Sequence, residues 1–139
     1  MYELISALIL SIALEVGIPP YLALAVALEE NSTLNPEAVS CQNRNGTYDL
    51  GVMQLNSEYF GCIEWRDPET NIRAGCRLIK ELIVKQEINT YWTVAVCYNA
   101  GTRWLKQKEK PPDSSIEYAE RVMNRWAVLE RYRPVLIRK

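Results

Sequence analysis

The 139-residue sequence contains no histidine. This absence excludes the Ser-His-Asp and Cys-His nucleophile systems and every metal site built on histidine. An enzyme of this composition that transfers protons near neutral pH must use a carboxyl, lysine, tyrosine or cysteine side chain. A carboxyl group with a raised pKa is a common choice for that task. The acidic residues are therefore the first candidates for chemistry.

The sequence also has little net charge and no long apolar run. Its formal net charge of -1 argues against nucleic-acid binding through bulk positive charge. Residues 1–20 are largely apolar but carry Glu3 and Glu15 and have no basic start. We therefore expect a core helix there, with no evident signal peptide and no membrane span. The length and composition predict one globular domain over residues 1–139, which we expect to be monomeric.

The four cysteines, at positions 41, 62, 76 and 97, show no C-x-x-C spacing, which argues against a zinc site. We expect neither a metal nor a cofactor. Two interpretations of the cysteines stay open. An even number in a small domain is typical of an exported, disulfide-bonded protein, with three alternative pairings. Alternatively all four are buried free thiols, because Cys76 and Cys97 fall inside apolar helical patterns.

The apolar periodicity predicts a mainly α protein with one small β-hairpin. Helices are expected over 3–17, from Pro19-Pro20 to about Asn31, from Asp67 onward with Ile72, Cys76, Ile79 and Ile83 buried, and over TYWTVAVCYNAG (90–101). The Asn-Gly pair of NRNG (43–46) predicts the hairpin turn within residues 38–56. A charged loop should follow, over LKQKEKPPDSS (105–115).

The last helix is expected to begin with a capping box of Ser114 and Glu117. Its buried stripe should comprise Ile116, Ala119, Met123 and Trp126. The basic tail beyond it, with Arg131, Arg133, Arg138 and Lys139, is expected to pack loosely or contact a partner.

Two adjacent glutamates, Glu29 and Glu30, end the uncharged run Tyr21–Leu28. A carboxylate at a helix C-terminus faces the unfavourable end of the helix dipole, and apolar neighbours would raise its pKa further. Such a group can stay protonated and act as a general acid. Helical spacing does not choose between the two glutamates, and two adjacent acids at a helix end are often only a solvated terminus.

Five segments in order, ENSTLNPEAVS, YDLGVMQLN, NIRAGCRLI, VCYNAG and YAERV, resemble the lytic transglycosylases, the goose-lysozyme-like enzymes that cleave bacterial cell-wall glycan. The segment NGTYDLGVMQLNS is most similar to the small members that accompany secretion or conjugation machines or are carried by phages. The resemblance covers most of the chain. It implies a lysozyme-like α+β fold, with the hairpin beside the active-site groove.

The resemblance also implies roles for individual residues. Glu30 matches the catalytic glutamate, with Asn31 in place of the family's serine, although one extra residue before Asn35-Pro36 leaves Glu29 as an alternative. Tyr118 matches the tyrosine that holds the catalytic carboxyl. The positions matching substrate-binding residues are Ser40, Gly51, Met53, Gln54, Tyr98 and Asn99. Asn71 and Gly75 match positions taken as structural.

The expected activity is non-hydrolytic cleavage of the β-1,4 bond between N-acetylmuramic acid and N-acetylglucosamine, giving a 1,6-anhydro end. The expected partners are peptidoglycan glycan strands in the cell wall or periplasm, reached by export or phage delivery. A secretion, conjugation or phage assembly is a further candidate partner, and no nucleic acid is expected. Three alternatives remain: a hydrolytic goose-type lysozyme using Asp49, a glycan-binding module without catalysis, and a helical adaptor.

Overall fold

The structure, a computed structural model, describes residues 1–85 and 87–133. Within them the elements run α1 (Tyr2–Val16), α2 (Pro20–Glu30), β1 (Asp49–Leu50), β2 (Leu55–Asn56), α3 (Ser57–Phe60), α4 (Pro68–Val84), α5 (Tyr91–Ala100), α6 (Arg103–Lys106) and α7 (Asp113–Tyr132). The mainly α fold with a small antiparallel hairpin is confirmed. The short helices α3 and α6 were not predicted, and the charged loop is shorter because α6 takes up its first residues.

Helix α2 lies at the centre of the core. Its eight residues from Tyr21 to Leu28 are all buried. A helix that is apolar on every side must be covered on every side. Helices α1 and α7 pack against it, α4 packs on α1, and α5 packs on both α4 and α7. The burial of α2 leaves its C-terminal end, at Glu30, as the point where the core meets the surface.

The helix boundaries follow local signals that the sequence displays. Gly17 ends α1 in the left-handed conformation, with φ of 88°, and Pro20 opens α2. Asp67 caps α4 by accepting a hydrogen bond from the Thr70 amide at 3.0 Å. Thr90 caps α5 in the same way through Thr93. Of the stripe predicted for α4, Ile72, Cys76 and Ile79 are buried and Ile83 is half-buried.

The pairing predicted on either side of NRNG forms only irregularly, with the Ser40 amide donating to the Asp49 carbonyl at 3.0 Å, and the assigned strands turn elsewhere. Strand β1 pairs with β2 in the register Asp49 to Asn56 and Leu50 to Leu55, so the turn is residues 51–54. The NRNG segment forms a separate turn, in which the Gly46 amide donates to the Asn43 carbonyl at 2.9 Å. One bridge between Val39 and Leu50 joins the preceding segment to β1. Gly51, with φ of 76°, supplies the left-handed conformation that the actual turn requires.

The predicted start and inner face of α7 also need correction. The helix begins one residue before Ser114, after Pro112, and no side chain caps it, so the predicted capping box does not form. Its buried residues are Ser115, Tyr118, Ala119 and Val122. Of the predicted stripe only Ala119 is buried, because α7 turns a polar-containing face toward both α2 and α5. Ile116, Met123 and Trp126 are half-buried. Of the basic tail, residues 134–139 lie outside the described part of the chain.

The cysteines fall into two exposed and two buried residues, all free thiols. Cys41 and Cys62 are exposed, so the interpretation that all four are buried was wrong for these two. Cys76 and Cys97 are in the core, and burial raises the pKa of the Cys76 thiol to about 12. Across residues 1–85 and 87–133, no helix has the length and apolar character needed to cross a membrane.

Candidate active site

An open groove of about 1150 Å³ runs between the hairpin region, the C-terminal part of α4, helix α5 and the start of α7. Four of the predicted site residues line it: Glu30, Gln54, Tyr98 and Asn99. Asp49 lines it too. The end of α2 therefore brings its last glutamate into a groove walled by polar side chains, as a site that binds an extended polar ligand requires.

Glu30 is a groove-lining carboxyl whose protonation is strongly perturbed. Its pKa is raised from 4.5 to about 7, mainly by burial and to a smaller extent by the charges of Asp49 and Glu29, whereas the Tyr118 hydroxyl acts to lower it. The carboxyl therefore exists in both protonation states near neutral pH. A group with this property can give up a proton and later take one back, which is the requirement for a general acid that then serves as a base.

Glu29 is in a different environment from its neighbour. Its carboxylate accepts a hydrogen bond from the Arg121 Nε at 2.6 Å, and its other oxygen lies 3.5 Å from an Arg125 guanidinium nitrogen. Both arginines belong to α7. Glu29 is thus occupied as an ion-pair partner outside the groove lining. The geometry favours Glu30 over Glu29 as the proton-transferring group, a choice that helical spacing alone left open.

Tyr118 places a buried phenol beside Glu30. Its side chain is 5% exposed, and its hydroxyl has no hydrogen bond of full geometry to any residue in the described ranges. The hydroxyl nevertheless interacts favourably with the Glu30 carboxylate and so lowers the pKa of that carboxyl. Burial, then the charge of Glu30, raises the pKa of Tyr118 well above its ordinary value. The phenol stays protonated and remains a donor toward Glu30.

Tyr98 makes its hydrogen bond to the hairpin turn and not to Glu30. Its hydroxyl donates a 2.8 Å hydrogen bond to the Met53 carbonyl, linking α5 to residues 51–54. Burial raises the pKa of Tyr98 well above its ordinary value, with the charge of Glu30 as the next cause. Tyr98 therefore remains a neutral donor that fixes the turn, and the same residue lines the groove.

Asn71, fully buried on α4, organises the same turn from below. Its Nδ2 donates to the carbonyls of Leu50 at 3.0 Å and Trp65 at 3.1 Å, and its Oδ1 accepts from the Met53 amide at 2.9 Å. A Cβ on Gly51 would come within 2.2 Å of the Asn71 Nδ2. Glycine at position 51 is thus required both by its positive φ and by the close approach of Asn71.

Met53 packs into the space left by a second glycine. Its side chain is completely buried, and its sulfur lies 2.5 Å from where a Cβ on Gly75 would stand. Neither Met53 nor Gly51 is among the residues that line the groove. The structure places them beneath the groove wall, where they shape the turn that carries Gln54. Their contact with substrate remains a prediction.

Ser40 and Gln54 stabilise the hairpin region in different places. Ser40 Oγ accepts a hydrogen bond from the Asp49 amide at 2.9 Å, so it fixes β1 without lining the groove. Gln54 lines the groove, although its Nε2 already donates to the Gly51 carbonyl at 3.1 Å and the Ala38 carbonyl at 3.3 Å. Its Oε1 is the part of the amide left to meet a ligand.

Asn99 and Ser115 form a pair at the other wall. Ser115 Oγ donates to Asn99 Oδ1 at 2.7 Å, and both residues line the groove. Ser115 was not among the predicted site residues. A serine at a buried helix position that needs a polar partner is the signal that could have indicated it.

Asn31 makes a hydrogen bond to the hairpin turn that the sequence did not predict. It is buried, and its Nδ2 donates to the Asn35 carbonyl at 2.9 Å and the Gly51 carbonyl at 3.3 Å. Its Oδ1 accepts from the Asn35 amide at 3.3 Å. Asn31 therefore ties the residue after Glu30 to the hairpin turn. The substitution of asparagine for the family's serine adds a longer polar side chain that reaches the hairpin.

The family model described as "Transglycosylase SLT domain" matches residues 7–120. The chain belongs to this family. It is also 30% identical over 121 residues to Protein IpgF of Shigella flexneri, an alignment that covers 79% of this chain and 72% of that protein. No solved structure gives a significant match. The family is that of the peptidoglycan lytic transglycosylases, so membership implies a peptidoglycan substrate at the level of the family.

All predicted site residues of this SLT domain, from Glu30 to Tyr118, lie within the matched range. The described residues contain no group of three or more metal-ligating side chains that could hold a metal ion. The groove is lined by carboxyl, phenol and amide side chains, among them Glu30, Tyr98 and Asn99.

Proposed function

We propose that this protein is a peptidoglycan lytic transglycosylase that cleaves the β-1,4 bond between N-acetylmuramic acid and N-acetylglucosamine without consuming water. The observation that supports this most strongly is Glu30, a groove-lining carboxyl whose pKa burial raises to about 7. A single carboxyl that can be acid and then base is what an intramolecular transfer needs. Hydrolysis by two carboxylates needs a second acid in a defined position.

In the first step the protonated Glu30 donates its proton to the glycosidic oxygen, and the bond between that oxygen and C1 of the muramic sugar breaks. The 2-acetamido group of the same sugar stabilises the positive charge that develops at C1. The Glu30 carboxylate then removes the proton from the C6 hydroxyl, whose oxygen bonds to C1. The products are a free 4-hydroxyl on the glucosamine and a 1,6-anhydro ring, and Glu30 ends protonated.

The neighbouring side chains have roles that follow from their positions. Tyr118 holds the carboxylate form of Glu30 through its phenol, which stays protonated. Asn99 and Gln54 line the groove and offer amide groups to sugar hydroxyls and acetamido groups. Ser40, Gly51, Met53 and Tyr98 act mainly by fixing the hairpin wall. No step requires a metal or a cofactor.

The hydrolytic alternative has one observation in its favour. Asp49 lines the groove and its charge contributes to the raised pKa of Glu30, so the two carboxyls are close enough to interact. Asp49 accepts a 3.4 Å hydrogen bond from Asn43 Nδ2, which leaves it capacity to activate a water molecule. A hydrolase would leave a reducing end on the muramic sugar, whereas the proposed reaction leaves an anhydro end.

The proposed site of action is the cell wall or the periplasm, where glycan strands are found. Association with a secretion, conjugation or phage assembly stays a prediction, as does the monomeric state. A glycan-binding module without catalysis is the third candidate, and it differs from the proposal in releasing no fragments at all.

The test is mass analysis of soluble fragments after the protein is incubated with purified peptidoglycan. The expected fragments carry anhydro-muramic ends and are one water lighter than hydrolysed ones. Glu30→Gln should reduce their release by at least about 1000-fold, since it removes the only proposed proton donor. Glu37→Gln, which removes an exposed carboxyl outside the groove, should release them at the wild-type rate. Reducing ends would instead support the hydrolase and direct attention to Asp49.

A further inference from the structure

Glu29 and Glu30 both contact helix α7, but through different residues. Glu30 meets the Tyr118 phenol, and Glu29 meets the Arg121 guanidinium one turn further along the helix. Three residues of helix correspond to about 4.5 Å of rise. The last two residues of α2 are thus joined to α7 at two closely spaced points, one in the groove and one at its outer side.

The Tyr118–Glu30 contact depends strongly on how the two helices are aligned. The Tyr118 hydroxyl is buried and has no other partner within residues 1–85 and 87–133, and its contact with Glu30 falls short of full hydrogen-bond geometry. Hydrogen bonds weaken steeply with distance and angle. A shift between α2 and α7 would therefore change how well the phenol stabilises the Glu30 carboxylate.

The Glu29 ion pair is the polar contact best placed to set that alignment. The Glu29 side chain is only 11% exposed, and its two oxygens contact Arg121 at 2.6 Å and Arg125 at 3.5 Å, two arginines about one turn apart on α7. The arginines themselves are about half exposed, and exposed ion pairs add little to stability. A contact at two points can nevertheless fix the position of α7 relative to the end of α2 more narrowly than apolar packing alone.

We propose that Glu29, Arg121 and Arg125 form a positioning cluster that fixes α7 against the end of α2 and so holds the Tyr118 hydroxyl on the Glu30 carboxyl. The inference rests on the proposed function for its catalytic meaning, but its structural content can be measured without substrate. The groups that face Glu30 are Tyr118 from α7, Asp49 from β1, Tyr98 from α5 and Glu29 from α2 itself. Arg121 also faces Glu117 on its own helix.

The experiment is a titration of the Glu30 carboxyl by NMR, with the side-chain carboxyl carbons labelled and Glu30 assigned from the spectrum of Glu30→Gln. Arg121→Met should raise the pKa of Glu30, because the Tyr118 contact that favours the carboxylate is weakened. Arg125→Met should raise it less, since its contact is longer. Arg73→Met is the matched control: Arg73 also joins two helices, pairing with Glu15 at 2.9 Å, but far from the groove lining. It should leave the pKa of Glu30 unchanged.

A second background separates positioning from a simple loss of positive charge. In Tyr118→Phe the pKa of Glu30 should already be higher, and adding Arg121→Met should produce no further rise. If the rise persists in full without the phenol, Arg121 acts through its charge alone and the proposal is overturned. It is overturned equally if Arg121→Met titrates like Arg73→Met.

Catalysis gives an independent readout. Arg121→Met should release anhydro fragments about tenfold more slowly than Arg73→Met, because misplacement of a catalytic group by part of an ångström costs about this much. If wild-type protein releases no fragments, the proposed function fails while the titration still decides the positioning role. Equal rates for the two arginine variants would contradict the positioning role even if the protein is active.

Discussion

Replacing Glu30 with glutamine should change how stability depends on pH. In the folded protein the pKa of Glu30 is about 7, whereas the unfolded chain titrates near 4.5. The folded state therefore binds more protons than the unfolded state between these values, and wild-type stability falls as pH rises through this window. Below about pH 4, Glu30 is largely protonated in both states and its ionisation costs the folded state no stability. Above about pH 8, Glu30 is largely ionised in both states and the loss of stability is complete.

The size of the effect follows from the shift. The difference between 4.5 and about 7 corresponds to about 3 kcal/mol of cost for keeping the carboxylate in its folded environment. Glutamine has nearly the same shape and carries no charge, so it avoids this cost. The stability of Glu30→Gln relative to wild type should thus improve by about 3 kcal/mol on going from pH 4 to pH 8. If the glutamine amide destabilises the folded protein by an amount that does not depend on pH, that amount cancels when the two pH values are compared.

Urea unfolding at pH 4 and pH 8, with wild type and variant at each pH, measures this difference. Glu29→Gln is the matched control, because it changes the adjacent carboxyl, which is ion-paired with Arg121. It should be destabilising at pH 8, the opposite sign. A Glu30→Gln difference that stays constant between the two pH values would refute the assignment of Glu30 as the carboxyl destabilised by burial.

Three further predictions concern the rate and the support of the groove. The value of kcat/KM for fragment release should fall about tenfold per pH unit above pH 7, as the acid form of Glu30 is lost, and a profile flat to pH 9 would contradict this. Asn71→Ala should lower the free energy of unfolding by about 2–4 kcal/mol, because it leaves the buried Met53 amide and two carbonyls without partners. A decrease below about 1 kcal/mol in urea unfolding would count against this role of Asn71. Gly75→Ala should cost about 1–3 kcal/mol by thermal or urea unfolding, since its Cβ would overlap the Met53 sulfur, and an unchanged midpoint would show that Met53 can move aside.

The sequence predicted those parts of the fold that depend on local signals. Gly17, the Pro20 start of α2 and the Asp67 cap of α4 are local in this sense, and each stands where it was expected. The uncharged run before Glu29 was likewise predicted to be helical, and this helix forms the centre of the core. Such features need only a few neighbouring residues to decide them.

The errors arose where distant residues decide the local structure. The turn at Gly51 between the assigned strands is held by Asn71, twenty residues later, so the Asn-Gly pair at 45–46 could not reveal it. The inner face of α7 is set by packing on two helices at once, which places Tyr118 inward and Met123 at the margin.

The candidate site was predicted through family resemblance more than through residue chemistry. Local sequence could not separate Glu29 from Glu30, because the separation depends on Arg121, ninety-two positions from Glu29. Ser115 was overlooked, and the contact of Asn31 with the hairpin was not predicted, for the same reason, since their partners Asn99 and Gly51 are distant in sequence.

The two walls of the groove differ in how they are built. The Glu30 side belongs to the buried helical core, whereas Asn43, Arg44, Asn45 and Thr47 on the facing side come from a polar loop held mainly by its own hydrogen bonds. Apart from Asn43, which donates to Asp49, substitutions in that loop can accumulate during evolution without disturbing the packing that buries Glu30. Under the proposed function, the loop is therefore the part of the groove where a change in the accepted sugars would leave the burial of the acid intact.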